Sequence, residues 1–209
     1  MTSTPDGPSH DPRSGVAHLY RAPDVPTPVT VPTLHCLAVD GRGDPNTAPA
    51  YREAVSTLYA MSYGLRAAVK AEGGEPWPVM PLEGLWWADD PAAYLSTDRN
   101  GWRWTMLIVQ PAVVTAEHTA VAVAQAVRKG RAPSADLLRL TSIEEGEAWH
   151  VLHQGPYTAE GPTVEALHAA IAAAGQALRG AHHEVYLSDP NRVAAERMRT
   201  ILRQPVAPG

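Results

Sequence analysis

Residues 34–74 read LHCLAVDGRGDPNTAPAYREAVSTLYAMSYGLRAAVKAEGG, an apolar run, a turn-forming loop and a long amphipathic segment in direct succession. Leu34 to Val39 has the composition of a strand, and the Gly-, Asp- and Pro-rich loop Gly41 to Asn46 bounds it. Beyond the loop, Tyr51, Val55, Leu58, Ser62, Leu65 and Val69 recur at helical spacing. Thr47 is a candidate cap, Pro49 is tolerated in the first turn, and Gly73 and Gly74 stop the helix. Two more strands follow over Val79 to Trp87 and Trp102 to Gln110, joined by Asp89 to Gly101. The module of about residues 33–111 is therefore β-α-β-β.

The same order returns downstream. Glu147 to Gln154 reads as a strand, and Gly155-Pro156-Tyr157 turns the chain. A helix then carries Val164, Leu167, His168, Ile171 and Leu178 as far as Gly180. His183 to Ser188 and Met198 to Val206 supply two final strands of a second module, about residues 146–207. Between the modules, Thr115 caps a helix that Gly130 terminates. The polar stretch Arg131 to Gly146 is assigned no element. The expected fold class is thus α+β: two β-α-β-β modules in pseudo-twofold arrangement, forming one domain over 17–209. The duplication rests on element order, since the halves share little direct identity. A β-α-β-β unit has its helix on one sheet face and leaves the other for a partner unit or a ligand, so two units imply a central ligand cleft. Residues 1–16 hold almost no large apolar group and are expected to form a disordered tail. Prolines 23, 26, 28 and 32 make the following stretch an extended lead-in. The segment before Thr33 is too short and proline-rich for a helix-turn-helix, so no DNA-reading module is expected.

Composition narrows the function classes. The 209 residues hold 17 Lys plus Arg against 22 Asp plus Glu, a formal net charge of -5, and no global positive field draws nucleic acid or anionic lipid. Cys36 is the lone cysteine, no apolar run approaches the roughly 20 residues of a membrane span, and the start lacks a secretory pattern. A cytoplasmic protein, off the membrane and monomeric or weakly homodimeric, is expected. Phe is absent while Trp occurs six times and Tyr seven, so the aromatic content is carried entirely by rings with a polar handle, which suits an amphipathic cavity. There is no GxSxG, phosphate loop or dinucleotide fingerprint. His150 and His153 point to opposite strand faces, as do His182 and His183, so neither pair chelates locally. No metal and no cofactor are expected.

Four motifs in ordered succession are more specific: Gly43-Asp44-Pro45-Asn46-Thr47, Met80-Pro81-Leu82-Glu83-Gly84-Leu85-Trp86-Trp87, Trp102-x-Trp104 leading to Gln110-Pro111, and His182-His183-Glu184-Val185-Tyr186-Leu187-Ser188-Asp189-Pro190. Over about Tyr20 to Pro205 they resemble the stand-alone GyrI-like small-molecule-binding domain family. The resemblance implies a pseudo-twofold pair of β-α-β-β (SHS2-like) modules with a ligand cavity between them. In relatives fused to DNA-binding domains that cavity senses lipophilic, often cationic drugs. The branch without the DNA-binding part, which this chain resembles, includes hydrolases of cyclopropane-bearing DNA-alkylating natural products of the yatakemycin and duocarmycin kind, a detoxification or antibiotic-resistance role.

Strand alternation sets His183, Val185 and Leu187 against Glu184, Tyr186 and Ser188. With the apolar set expected toward the helices, Glu184 and Tyr186 point into the cleft, where the resemblance also implies a pocket carboxylate. Glu83 is either a second pocket acid, or a loop cap or partner of an arginine such as Arg103. A bulge at Gly84 would leave the facing of Trp86 and Trp87 open. Trp102, Trp104, Met106 and Ile108 share a strand face, and with Trp86 or Trp87 they are expected to line the cleft for a hydrophobic, planar aromatic small molecule. Leu107 and Val109 would then face the helices. Catalysis would use Glu184 to activate water and Tyr157 to donate a hydrogen bond to a ligand carbonyl. Without chemistry, the same cleft would sequester or sense lipophilic cations, with Glu184 as counter-ion. A gyrase-inhibitor-like partner-binding role ranks last.

Overall fold

A computed structural model describes residues 11–88 and 99–208. In chain order the elements are β1 (Thr27–Val31), β2 (Leu34–Arg42), α1 (Pro49–Ala71), β3 (Glu83–Ala88), β4 (Trp102–Val109), α2 (Ala116–Arg128), β5 (Arg139–Ile143), β6 (Gly146–Gln154), α3 (Gly161–Ala173), β7 (Gln176–Leu178), β8 (His182–Tyr186) and β9 (Arg199–Pro208). The antiparallel sheet runs β1-β6-β9-β8-β3-β4-β2-β5, with β7 added against β9. Outward from the β3–β8 pair, β4 and β2 on one side mirror β9 and β6 on the other. The modules β2-α1-β3-β4 and β6-α3-β8-β9 are thus related by a pseudo-twofold axis at the β3–β8 seam, as expected. Helix α1 packs over β2 and β4, and α3 over β6, β7 and β9, with the seam strands running between them.

Several boundaries differ from the sequence reading, each for a local reason. The lead-in contains strand β1, which tolerates Pro28 because it is an edge strand paired only with β6. The unassigned connection contains β5, paired with β2 from Leu34↔Ile143 to Ala38↔Arg139. Its side chains are partly buried on both faces, so no alternation marks it. Helix α3 ends at Ala173; Gly175 has φ +71°, and Leu178 belongs to β7. Strand β3 begins at Glu83, and its register to both neighbours runs through Gly84 without interruption, so the expected bulge is absent. Ala48, not Thr47, is the N-cap of α1, whereas Thr115 caps α2 in a reciprocal pair of hydrogen bonds with His118. The tail expected over 1–16 overlaps ordered chain, because Val16 is buried with Leu19 in the core. Residues 1–10, and residues 89–98 of the expected loop, lie outside the described residues.

On the sheet face opposite α1 and α3 lies a buried ionic network. His183 on β8 places Nε2 2.9 Å from Glu83 Oε2 and Nδ1 2.7 Å from Glu145 Oε1. Arg203 on β9 closes it, with Nε 2.7 Å from Glu145 Oε2, and the Tyr20 hydroxyl donates to Glu83 Oε1 at 2.7 Å. Carboxylate oxygens on both ring nitrogens make His183 an imidazolium. Burial and the Arg203 charge oppose that proton, but Glu145 and Glu83 outweigh them and raise the His183 pKa. Burial likewise works against the Glu145 carboxylate, yet His183 and Arg203 pull its pKa down to about 2. Two acids and two bases leave the network neutral.

The pH dependence of stability follows. A raised His183 contributes stability fully below its ordinary pKa of 6.5 and loses it as pH rises through the folded value. A lowered Glu145 contributes above its ordinary 4.5 and loses it as pH falls toward about 2. Urea unfolding across pH should therefore peak between about 4.5 and 6.5. His183→Gln should lower stability at the peak by about 3–5 kcal/mol and flatten part of the alkaline decline. A variant as stable as the parent would show that the imidazolium is dispensable.

Candidate ligand cleft

Register fixes which side chains share the α1/α3 face. The pairings Gly84↔Glu184, Trp86↔His182, Gly84↔Met106, Trp86↔Trp104 and Ala88↔Trp102 put His182, Glu184, Trp86, Trp102, Trp104 and Met106 on one face, with Tyr186 in alternation. The helices are on that same face: Gln110 Nε2 donates to Ser62 Oγ of α1, and His153 Nδ1 meets Thr163 Oγ1 of α3 at 3.0 Å. The expected facing is therefore reversed. His183, Val185, Leu107 and Val109 point away from the helices, and the aromatic set points toward them. Both sheet faces are buried, so apolar character alone does not identify the helix side.

The seam gathers the polar centre. Tyr186 Oη donates to Glu184 Oε2 at 2.7 Å and accepts from Trp86 Nε1 at 2.9 Å. Gly84 makes this possible, since a Cβ there would lie 2.7 Å from Trp86 Nε1 and 2.9 Å from Tyr186 Oη. His182 Nε2 lies 3.8 Å from Glu184 Oε1. Around these groups Tyr51 of α1 stacks on Trp86 with centroids 6.1 Å apart, Trp102 meets Trp86 edge-on at 5.8 Å, and Tyr157 meets Tyr186 edge-on at 5.6 Å. The Arg99 guanidinium sits 4.9 Å over the Trp102 ring. Glu184 keeps 15% of its side chain exposed, so its carboxyl is in contact with solvent.

The remaining candidates separate. Trp104 has no exposed surface; Tyr51 packs on its edge at 5.4 Å and its ring occupies the space a Cβ on Gly41 would need. Met106 is equally buried. Both support the aromatic wall from behind rather than lining it. Trp87 pairs with Arg103 on the opposite face. Glu83 is on that face too, held by Tyr20, His183 and Arg203 rather than Arg103. It is not a neighbour of Glu184. Cys36 is buried, and burial pushes its thiol up to about 12.

Electrostatics mark two carboxyls. Burial pushes Glu184 up to about 7, against the Tyr186 hydrogen bond and the charges of His183 and Arg99. Glu160, the residue before α3, rises to about 9, first by burial and then by repulsion from Glu184. Burial and these acids hold the Tyr157 phenol at about 12, and Tyr51 and Tyr186 are raised as well, so all three are neutral donors. Burial lowers His182 to about 3, leaving it neutral. Glu160, Tyr51, Arg99 and His182 are not among the site residues that the sequence points to. Tyr51 carried the signal of helical spacing, whereas an isolated Glu in a turn carries none.

No protein-family model and no curated protein sequence matches the chain. Among solved structures, an uncharacterized conserved protein from Listeria innocua is 34% identical over 95% of this chain and 100% of its own, with TM-score 0.87. A hydrolase from Listeria innocua is 33% identical over 95% and 100% of the two chains, with TM-score 0.82. The chain belongs to the family of these Listeria innocua proteins. The EcmrR C-terminal domain, 12% identical over 88% of this chain and 98% of its own at TM-score 0.56, shares the fold. Among the described residues, no helix is long and apolar enough to cross a membrane, and no group of three His, Cys, Asp or Glu is placed to hold a metal ion.

The buried Trp104 and the half-buried Trp102 should respond differently. Trp104→Ala should cost about 3–5 kcal/mol in chemical denaturation, as a large-to-small core change. Trp102→Phe should leave stability within about 1.5 kcal/mol but remove much of the fluorescence quenching caused by a saturating planar aromatic ligand. Equal stability losses would place Trp102 in the core with Trp104.

Proposed function

We propose that the cleft binds lipophilic, planar aromatic molecules and hydrolyses cyclopropane-bearing DNA-alkylating natural products, the activity that the GyrI-like resemblance implies. Hydrolase relatives at 33% identity support an enzyme. The observation that carries the reading is a partly exposed carboxyl, hydrogen-bonded by Tyr186 and raised to about 7, set at the base of an aromatic wall.

In this reading the Glu184 carboxylate takes a proton from water as the water oxygen bonds to the cyclopropane methylene. The methylene–ring carbon bond breaks, and its electron pair moves through the conjugated dienone to the carbonyl oxygen. That oxygen becomes a phenolate and then a phenol by taking up one proton, so one water is added in total. Trp86 and Trp102 hold the planar substrate in line, and the neutral Tyr157 hydroxyl donates toward the developing phenolate. A second reading is sequestration of lipophilic cations without chemistry, favoured by two carboxyls among aromatic rings.

A cyclopropane-containing alkylator incubated with the protein should yield the water adduct by mass spectrometry. Turnover should rise with pH through about 7, because the base works only once deprotonated. Glu184→Gln should reduce turnover by about 10²–10⁴ while a neutral aromatic ligand binds unchanged. If the wild type forms no adduct and Glu184→Gln weakens only cationic dyes, the protein is a binder.

A further inference from the structure

Glu160 occupies a position that neither the cleft's aromatic wall nor helix capping explains. It directly precedes α3 yet makes no side-chain capping bond, and it is 8% exposed. Its Oε1 atom is buried with no hydrogen-bond partner among the described residues. Such an atom destabilises the fold unless something completes it. The turn carrying Glu160 begins at Tyr157, whose ring packs on Tyr186, which in turn holds Glu184. Thr200, on β9 opposite Tyr186, approaches Glu160 from the sheet. On the same face, His182 is 6% exposed and its Nε2 lies 3.8 Å from Glu184 Oε1. The seam therefore holds unfilled polar capacity beside Glu184.

We propose that Glu160 is the second acid of the cleft: in its protonated form it donates a hydrogen bond to a carbonyl oxygen on a neutral planar ligand. This deepens the hydrolase reading and rests on it for the catalytic part alone. There, Glu160 gives its proton to the oxygen that receives the electron pair of the breaking carbon–carbon bond, while Glu184 takes one from the attacking water. The proton then passes from Glu184 to Glu160, and the pair is restored.

The surroundings keep the two acids in different states. Facing Glu160 are Glu184 from β8, Thr200 from β9, Tyr157 from its own turn and Arg99 before β4. His182 is neutral at neutral pH and the phenols stay protonated. Burial first, then repulsion from Glu184, keeps the proton on Glu160 to about 9, against Thr200 and Arg99. Between about 7 and about 9 the cleft presents one carboxylate and one carboxylic acid.

The test uses 9-fluorenone, a planar ketone without titratable groups, and fluorene, its carbonyl-free analogue, with binding read by indole quenching from pH 6 to 10. Wild-type affinity for fluorenone should fall severalfold above about 9, with fluorene unaffected. Glu160→Leu should bind fluorenone about tenfold more weakly at pH 7 and fluorene as before. Glu160→Gln, which keeps a donor but cannot titrate, should restore fluorenone binding and remove the pH step. If the two probes respond alike to the substitutions, or if fluorenone ignores Glu160→Leu, the proposal is overturned. Adduct formation from the alkylator is a separate readout: its absence in wild type defeats the hydrolase reading, while the fluorenone result still decides Glu160.

Discussion

The antiparallel pairing of β3 with β8 joins the two modules, and its register opposes Gly84 to Glu184 and Leu85 to His183. Because side chains alternate across a strand, two consecutive residues of β8 reach opposite sides of the sheet. His183 enters the ionic network and Glu184 enters the cleft. A slip by one residue would drive a carboxylate into the place of an imidazolium and an imidazolium into the aromatic wall. The position of the candidate site is thus a consequence of strand pairing at the seam, and Gly84 keeps that seam narrow enough for Trp86 to reach Tyr186.

The network makes that register costly to change. Replacing a buried ion pair by apolar groups is often neutral, but leaving one partner unpaired costs about 3–5 kcal/mol. Here β3 supplies Glu83, β8 supplies His183, β9 supplies Arg203, and the turn before β6 supplies Glu145. Both modules contribute, and every member has partners in at least one other segment. A displaced seam would strand several charges at once. Tyr20 adds the segment before β1 to the same cluster through its bond to Glu83, so the proline-rich approach to the domain is tied to its centre.

Much of this was legible in the sequence, and the exceptions share a cause. The order of β2, α1, β3 and β4 and its repetition followed from spacing, because a long amphipathic helix and flanking apolar runs are strong local signals. Alternation correctly set Glu184 and Tyr186 apart from His183 and Val185. It did not tell which set the helices cover, because the sheet is buried on both faces: Leu107 and Trp104 each have no exposed surface. The same ambiguity grouped Glu83 with the cleft, although its partners Tyr20, His183 and Arg203 are scattered along the chain. Strand β5 exists by pairing with β2 rather than by its own pattern. Glu160 gains its environment from Glu184 of β8 and Thr200 of β9, 24 and 40 residues away by number.

The two faces treat the same chemical group in opposite ways. Glu145 meets an imidazolium and a guanidinium at 2.7 Å each and is held ionised down to about 2. Glu184 meets a phenol at 2.7 Å and a neutral histidine at 3.8 Å, and it is pushed up to about 7. The network draws His183 and Arg203, cations of the second module, to one face and leaves the acids of the cleft face incompletely compensated. Burying acids in that state costs folding free energy that a fully paired core would not lose. Paired charges suffice to explain the network as structure. The cleft acids keep raised, titratable protons beside aromatic rings and unfilled hydrogen-bond capacity, and that combination favours a site built to act on a ligand over one built only to hold the fold.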